Sequence, residues 1–115
     1  MPRVKRGIMV KKKHKKIKKQ IKGYLKSRRA SIKKAKEAIY KAGQHAYRDR
    51  KRKKRLMRGL WIIRINAALK PYGLSYSNFI SLLKKNKIEI NRKILAQLAN
   101  EEPKAFEKII EKVKG

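Results

Sequence analysis

The chain has 115 residues, with 37 Lys plus Arg against 7 Asp plus Glu, a formal net charge of +30. An excess of that size repels itself, so it implies a polyanionic partner, with nucleic acid first and an anionic membrane surface as the rival. The absence of cysteine excludes disulfides, thiolate nucleophiles and Cys-based metal centres, and the longest apolar runs, such as Leu60 to Ile63, fall far short of a membrane span.

The charge is unevenly distributed. Residues 1–58 hold 26 Lys and Arg with only Glu37 and Asp49 as acids, whereas residues 59–115 hold 11 with five acids and most of the Leu, Ile, Trp and Phe. The expected organisation is a basic extension over 1–58 followed by a small folded domain over 59–115, a size that is marginal unless helical. The N-terminus is basic, but no apolar run follows it, so no signal peptide is expected and the expected location is the cytoplasm.

In chain order, residues 1–8 lack periodicity and contain Pro2 and Gly7, which predicts an extended basic tail. From Met9 to Ile21 lysine dominates, and like charges at i, i+4 oppose a helix in water, so this segment is expected to be disordered until neutralised. Gly23-Tyr24 marks a break. Ile32, Ala35, Ile39, Ala42 and Ala46 recur at helical spacing and predict a helix over 27–47, with Ser27 or Ser31 as its cap. A further helix is predicted through Leu56, Leu60, Ile63 and Ala67, with Trp61, Ile65 and Ala68 alongside, ending at Pro71 and Gly73. Nothing from Tyr47 to Arg55 breaks a helix, so this one should continue upstream from its packed end into the cationic run. Gly43 and Gly59 inside it suggest a bend or a close backbone approach to a partner.

Three shorter helices follow. Residues 75–86 place Phe79, Ile80, Leu82 and Leu83 together, with Ser75 or Ser77 as cap. Ile88 and Ile90 flank Glu89 in a short extended connector. Asn91 caps residues 92–100, with Ile94, Leu95, Leu98 and Ala99 as the buried face. Pro103 suits the first position of a last helix that turns Phe106, Ile109, Ile110 and Val113 inward. The fold class is therefore all-α: a long basic helical N-terminal extension plus a small four-helix C-terminal globular domain.

Catalysis has little support. His45 lies one turn before Asp49, but no nucleophile or second acid accompanies the pair, and two isolated histidines, His14 and His45, make no metal site. No cofactor is expected. The cations Arg50, Lys51, Arg52, Lys53, Lys54 and Arg55 point in nearly every direction around a helix, an arrangement suited to insertion among several RNA segments. Tyr24, Tyr40 and Tyr47 lie where no core can bury them, so they either stack on unpaired bases or pack on lysine stems. Trp61, amid Leu60, Ile62 and Ile65, belongs to the core. Asp49 is expected to pair with Arg52 or Lys53.

The run KAGQHAYRDRKRKKR followed by LWIIRINAALKPYGLSYSNFISLLKKNKIEINRKILAQLA, with MPRVKRG and GYLKSRRA before it, resembles the bacterial large-subunit ribosomal protein of the L-twenty family over essentially the whole chain. The resemblance implies a structural constituent of the large subunit that binds its ribosomal RNA early in assembly, lies beside neighbouring large-subunit proteins and, in some members, represses its own messenger RNA. It implies RNA contacts for Tyr47, Arg48, Arg50, Lys51, Arg52, Lys53, Lys54 and Arg55. The same applies to Arg3, Lys5 and Arg6, and to Lys11, Lys12, Lys13, His14, Lys15 and Lys16. Tyr24, Arg28, Arg29, Gln44, His45 and Arg58 join them. In the C-terminal domain Arg64, Asn66, Ser75, Tyr76 and Ser77 match the family pattern. Two positions depart from it: the family often has Tyr where His45 stands and usually Asp where Asn91 stands, and both Asn and Asp cap helices. No membrane partner is expected, because the lysine-rich half lacks a broad apolar helix face.

Overall fold

A computed structural model describes all residues 1–115. Every regular element is helical: α1 (Arg6–Gln20), α2 (Ser27–Ala30), α3 (Ile32–Leu69), a 3-10 turn (Lys70–Tyr72), α4 (Tyr76–Lys85), α5 (Arg92–Glu101) and α6 (Pro103–Lys114). The chain divides into two compact units, Met1–Arg50 and Lys51–Gly115.

In the first unit the extended tail is shorter than expected, because α1 starts at Arg6 and includes Gly7 and Ile8. The lysine-rich stretch expected to be disordered is helical. Lysine itself is a good helix former, and no proline or β-branched run interrupts the segment. No residue of α1 is buried, and neither a side-chain cap nor an acid occupies its first turn. A turn through Gly23 (φ 92°) ends the segment, where the Tyr24 N–H donates to the Ile21 carbonyl at 3.0 Å. The predicted 27–47 helix is broken at Ser31, whose extended backbone (ψ 127°) separates α2 from α3. Ser31 stands immediately before α3, and its carbonyl accepts the Ala35 N–H at 2.9 Å. Ile21 and Ala35 are the fully buried side chains of this unit. Ile32 and Ile39 of the predicted stripe are half-buried, but Ala42 and Ala46 are exposed.

α3 runs through Gly43 and Gly59 without a break, and a Cβ added at either would meet nothing within 4 Å. No part of the chain itself approaches the helix at either glycine. In the second unit the end of α3 packs with α4, α5 and α6 around Ile65, Leu69, Phe79, Leu83, Leu95, Ala96, Phe106, Ile110 and Val113. The Phe79 and Phe106 rings tilt at 58° with centroids 5.8 Å apart, a favourable edge-directed contact.

Two expectations about faces are corrected. Of the two apolar stripes on α3, Trp61, Ile65 and Ala68 face the core, whereas Leu56 (64% exposed), Leu60 (38%) and Ile63 (66%) do not. The stripes lie on nearly opposite sides of the helix, and periodicity cannot decide which of two apolar faces the neighbouring helices will cover. On α5, Ile94 is exposed (46%) and Ala96 takes its place inside. Ile94 sits in the first turn, with its N–H held by Asn91 Oδ1 at 2.9 Å.

The ends of these helices follow from local chemistry. Ser75 Oγ accepts the Asn78 N–H at 3.3 Å, and Pro103 begins α6. α4 ends with Lys87 in the left-handed region (φ 54°), where Ile88 N–H bonds Leu83 O at 2.9 Å and Lys87 N–H bonds Lys84 O at 3.1 Å. The end of the 3-10 turn repeats this pattern with Gly73 (φ 68°): Leu74 N–H to Leu69 O and Gly73 N–H to Lys70 O. Ile88 and Ile90 are half-buried against the core around exposed Glu89, as the connector predicts.

Candidate nucleic-acid interface

In the first unit, Arg3 and Lys5 precede α1 and Arg6 opens it. Lys11, Lys12, Lys13, His14, Lys15 and Lys16 follow, all exposed. Lys11, His14, Lys15 and Lys18 share one face with Gly7 and Val10, lining a shallow groove of about 570 Å³. Their spacing of three and four residues is what brings them together.

A second groove, also about 570 Å³, gathers three of the expected site residues, Tyr24, Arg28 and His45, with Ser27, Lys34, Glu37, Ala38, Lys41 and Ala42. The turn through Gly23 carries Tyr24, Ser27 and Arg28 to it, and α3 supplies the remainder. Arg29 instead lines a separate cleft with Lys18, Ile21, Lys22 and Gly23. Lys34, Glu37 and Lys41 did not stand out in the sequence; their spacing along α3 was the available signal.

Gln44, Tyr47, Arg48 and Arg50 lie further along α3, all exposed. Asp49 does not pair with Arg52 or Lys53. It accepts a hydrogen bond from Arg48 Nε at 3.2 Å, with both side chains well exposed. No hydrogen bond joins His45 to Asp49, so the only pair that suggested a general base is not assembled.

In the second unit, Lys51, Arg52, Lys53, Lys54, Arg55 and Arg58 are exposed along α3. Because a helix turns 100° per residue, this run presents cations on every side. Arg64 and Ser77 are also exposed. The other three expected residues of this unit hold local structure together. Asn66 Oδ1 accepts the Tyr76 N–H at 3.2 Å, Ser75 caps α4, and half-buried Tyr76 packs against the core. Asn66 and Ser75 also border a cleft of about 600 Å³ with Ile63, Ala67, Lys70, Gly73 and Leu74.

Arg92 was not foreseen. Its Nε donates to Tyr76 Oη at 2.6 Å, which brings a guanidinium beside the GLSYS segment. A cation at the first position of α5 opposes the helix dipole, and that unfavourable placement was the signal in the sequence.

No group of His, Asp and Glu able to hold a metal ion is present, and no helix is long and apolar enough to cross a membrane. A family model described as ribosomal protein L20 matches residues 3–109. The chain belongs to the ribosomal protein L20 family. Members of that family are structural, RNA-binding components of the large ribosomal subunit, so the chain is a ribosomal protein and not an enzyme. The match takes in both compact units.

Proposed function

We propose that this chain binds large-subunit ribosomal RNA directly and promotes early assembly of the subunit in the cytoplasm. Residues 1–58 act as an extension that penetrates the RNA, and residues 59–115 act as a globular anchor. The observation that carries this reading is the family membership of a chain whose cations, from Arg3 to Arg58, are exposed throughout. A helix surrounded by cations neutralises phosphates from several RNA segments at once, allowing helices that repel one another to pack. Duplex DNA, which offers one groove to one helix face, satisfies fewer of them.

The proposed contacts are the residues already named from Arg3 to Arg58, together with Arg64, Asn66, Ser75, Tyr76 and Ser77. Arg92 joins them through its bond to Tyr76. Neighbouring large-subunit proteins are the other partners. A messenger RNA that reproduces the ribosomal site would engage the same residues and so allow repression of the chain's own synthesis.

Protection mapping on large-subunit RNA tests partner and site together. Protection confined to one RNA region and lost with R50A/R52A/K53A is the expected result. Equal affinity for duplex DNA and folded ribosomal RNA in a salt-matched competition would overturn the reading in favour of a DNA-compacting protein.

A further inference from the structure

The groove shared by the Gly23 turn and the start of α3 differs from the other grooves of the basic half because its lining contains an acid. Glu37 is one of only two acids among residues 1–58, and the other charged residues of the groove, Arg28, Lys34 and Lys41, are cations. A surface that only neutralises phosphate has no use for a carboxylate. Stability does not account for it either. Glu37 accepts from Lys34 Nζ at 3.4 Å, but the two side chains are 64% and 56% exposed, and pairs that open to solvent contribute little.

The remaining lining has the character of a base-binding floor. Ala38 and Ala42 lie one turn apart on α3 and present a small apolar surface without long side chains. Tyr24 and His45 add two flat rings. At about 570 Å³ the groove falls within the roughly 300–1,000 Å³ of clefts that hold small molecules. Unstacked bases of folded RNA bind on such surfaces through their faces and are told apart at their edges.

We propose that this groove takes an unstacked guanine nucleotide of the bound RNA and that Glu37 selects it. A carboxylate only accepts hydrogen bonds, and it has two oxygens to do so side by side. Guanine alone of the four bases presents two adjacent donors on its Watson–Crick edge, N1–H and the N2 amino group. Adenine and cytosine offer one amino group beside an acceptor, and uracil one imino N–H between two carbonyls. Arg28 and Lys41 meet the flanking phosphate, and the Lys34 contact, held at the protein surface, is exchanged for the base. The proposal rests on the RNA-binding reading above and adds to it a specific nucleotide and the residue that reads it.

The test uses the full chain, small enough at 13.6 kDa for residue-resolved NMR, titrated with 5′-GMP, 5′-IMP and 5′-AMP at one salt concentration. All three share the phosphate, so general attraction to the +30 chain is common to them. IMP retains N1–H but lacks the N2 amino group. GMP should shift the Ala38 and Ala42 signals and bind roughly five- to tenfold tighter than IMP or AMP. E37Q should abolish that preference, because the amide replaces one acceptor with a donor, and Y24L should weaken all three. Equal affinity for GMP and IMP, or a preference that survives E37Q, overturns the proposal. If binding to large-subunit RNA is intact in the same samples, that result removes only the guanine site. If such binding is absent, the functional reading fails as well.

Discussion

The two compact units share a helical backbone but differ in what holds it. In Lys51–Gly115, nine side chains are buried together, both short helices that follow loops carry side-chain caps, and polar bonds tie distant elements. Asn86 Nδ2 donates to Val113 O at 3.4 Å, and Lys114 Nζ donates to Tyr72 O at 2.8 Å while lying 6.0 Å above the Tyr72 ring. In Met1–Arg50, only Ile21 and Ala35 are fully buried, and side-chain bonds such as Lys34–Glu37 and Arg48–Asp49 join near neighbours in sequence. Isolated helices owe most of their stability in proteins to a packed apolar face. The second unit has that face. The first has intrinsic propensity opposed by like-charge repulsion, and under the proposed function neutralisation by RNA phosphate supplies the missing stabilising term.

The largest expected effect breaks this contrast at the core. Phe79→Ala should destabilise the second unit by about 3–5 kcal/mol, comparable with the whole stability of a small domain. Ile65→Ala should cost about 2–5 kcal/mol, whereas Ile63→Ala on the exposed side of the same helix should stay within about 0.5 kcal/mol. Urea unfolding followed by fluorescence of Trp61, the sole tryptophan, measures all three. Equal losses at positions 63 and 65 would contradict the assignment of the two faces. Ile21→Ala should leave the Trp61 transition in place and reduce only the helical circular dichroism of the first unit.

That pair of positions also shows how much was legible in the sequence. In the second unit helix existence followed from period and punctuation: Pro71 with Gly73, Ser75, Asn91 and Pro103 all act where their chemistry predicts. In the first, α1 was not legible, because its lysine run has no apolar period. Choosing between two apolar stripes on α3 needed the position of α4–α6, which is tertiary information. Ser31 was legible as a cap but not as a break, because Ile32 and Ala35 keep their spacing on either reading. On the site, the cationic run was read from charge alone. Arg92 and the groove around Glu37 were not, since both depend on side chains brought together by turns. Asp49 was assigned partners one helical turn ahead, yet its neighbour Arg48 reaches it first.

The first unit can be probed by removing charge where no packing exists. K11A/K12A/K13A should leave the Trp61 transition unchanged and raise helicity at low salt, since alanine is the better helix former and three repelling charges are gone. Binding to large-subunit RNA should weaken, and the slope of log affinity against log salt should fall by roughly 0.7–0.9 for each phosphate that is no longer neutralised. An unchanged slope would show that α1 stays outside the RNA.

A smaller effect compares two helix ends built alike. Gly73 and Lys87 both adopt left-handed backbone in the same double hydrogen-bonded motif, but only glycine does so without a Cβ penalty. Lys87→Gly should stabilise the second unit by about 1 kcal/mol, and Gly73→Ala should destabilise it by about the same. The two changes act at separate sites, so the double variant should return close to the starting stability.

The smallest effect concerns Tyr72, where the second unit's acids meet its core. Partial desolvation raises its pKa above the usual 10.0, followed by the negative charge of Glu107, a hydrogen bond to Glu107 and the charge of Glu111. Each cause favours the neutral phenol, so the folded chain holds this proton more tightly than the unfolded chain does. The resulting stability is fully present below pH 10 and is lost as pH rises through the raised folded value. Tyr72→Phe retains the ring and removes the titration. Lysine deprotonation, which occurs in the same range, is common to both proteins and cancels in their difference. The stability gap between wild type and Y72F should therefore be flat below pH 10 and narrow above it. In E107Q the narrowing should still begin near pH 10, where the unfolded chain titrates, but it should be smaller and end at lower pH, because the larger electrostatic cause is gone while the desolvation remains. A gap that stays constant to high pH would mean that folding does not raise the phenol's pKa, and a course unchanged in E107Q would mean that the phenol and the Glu107 carboxylate do not interact.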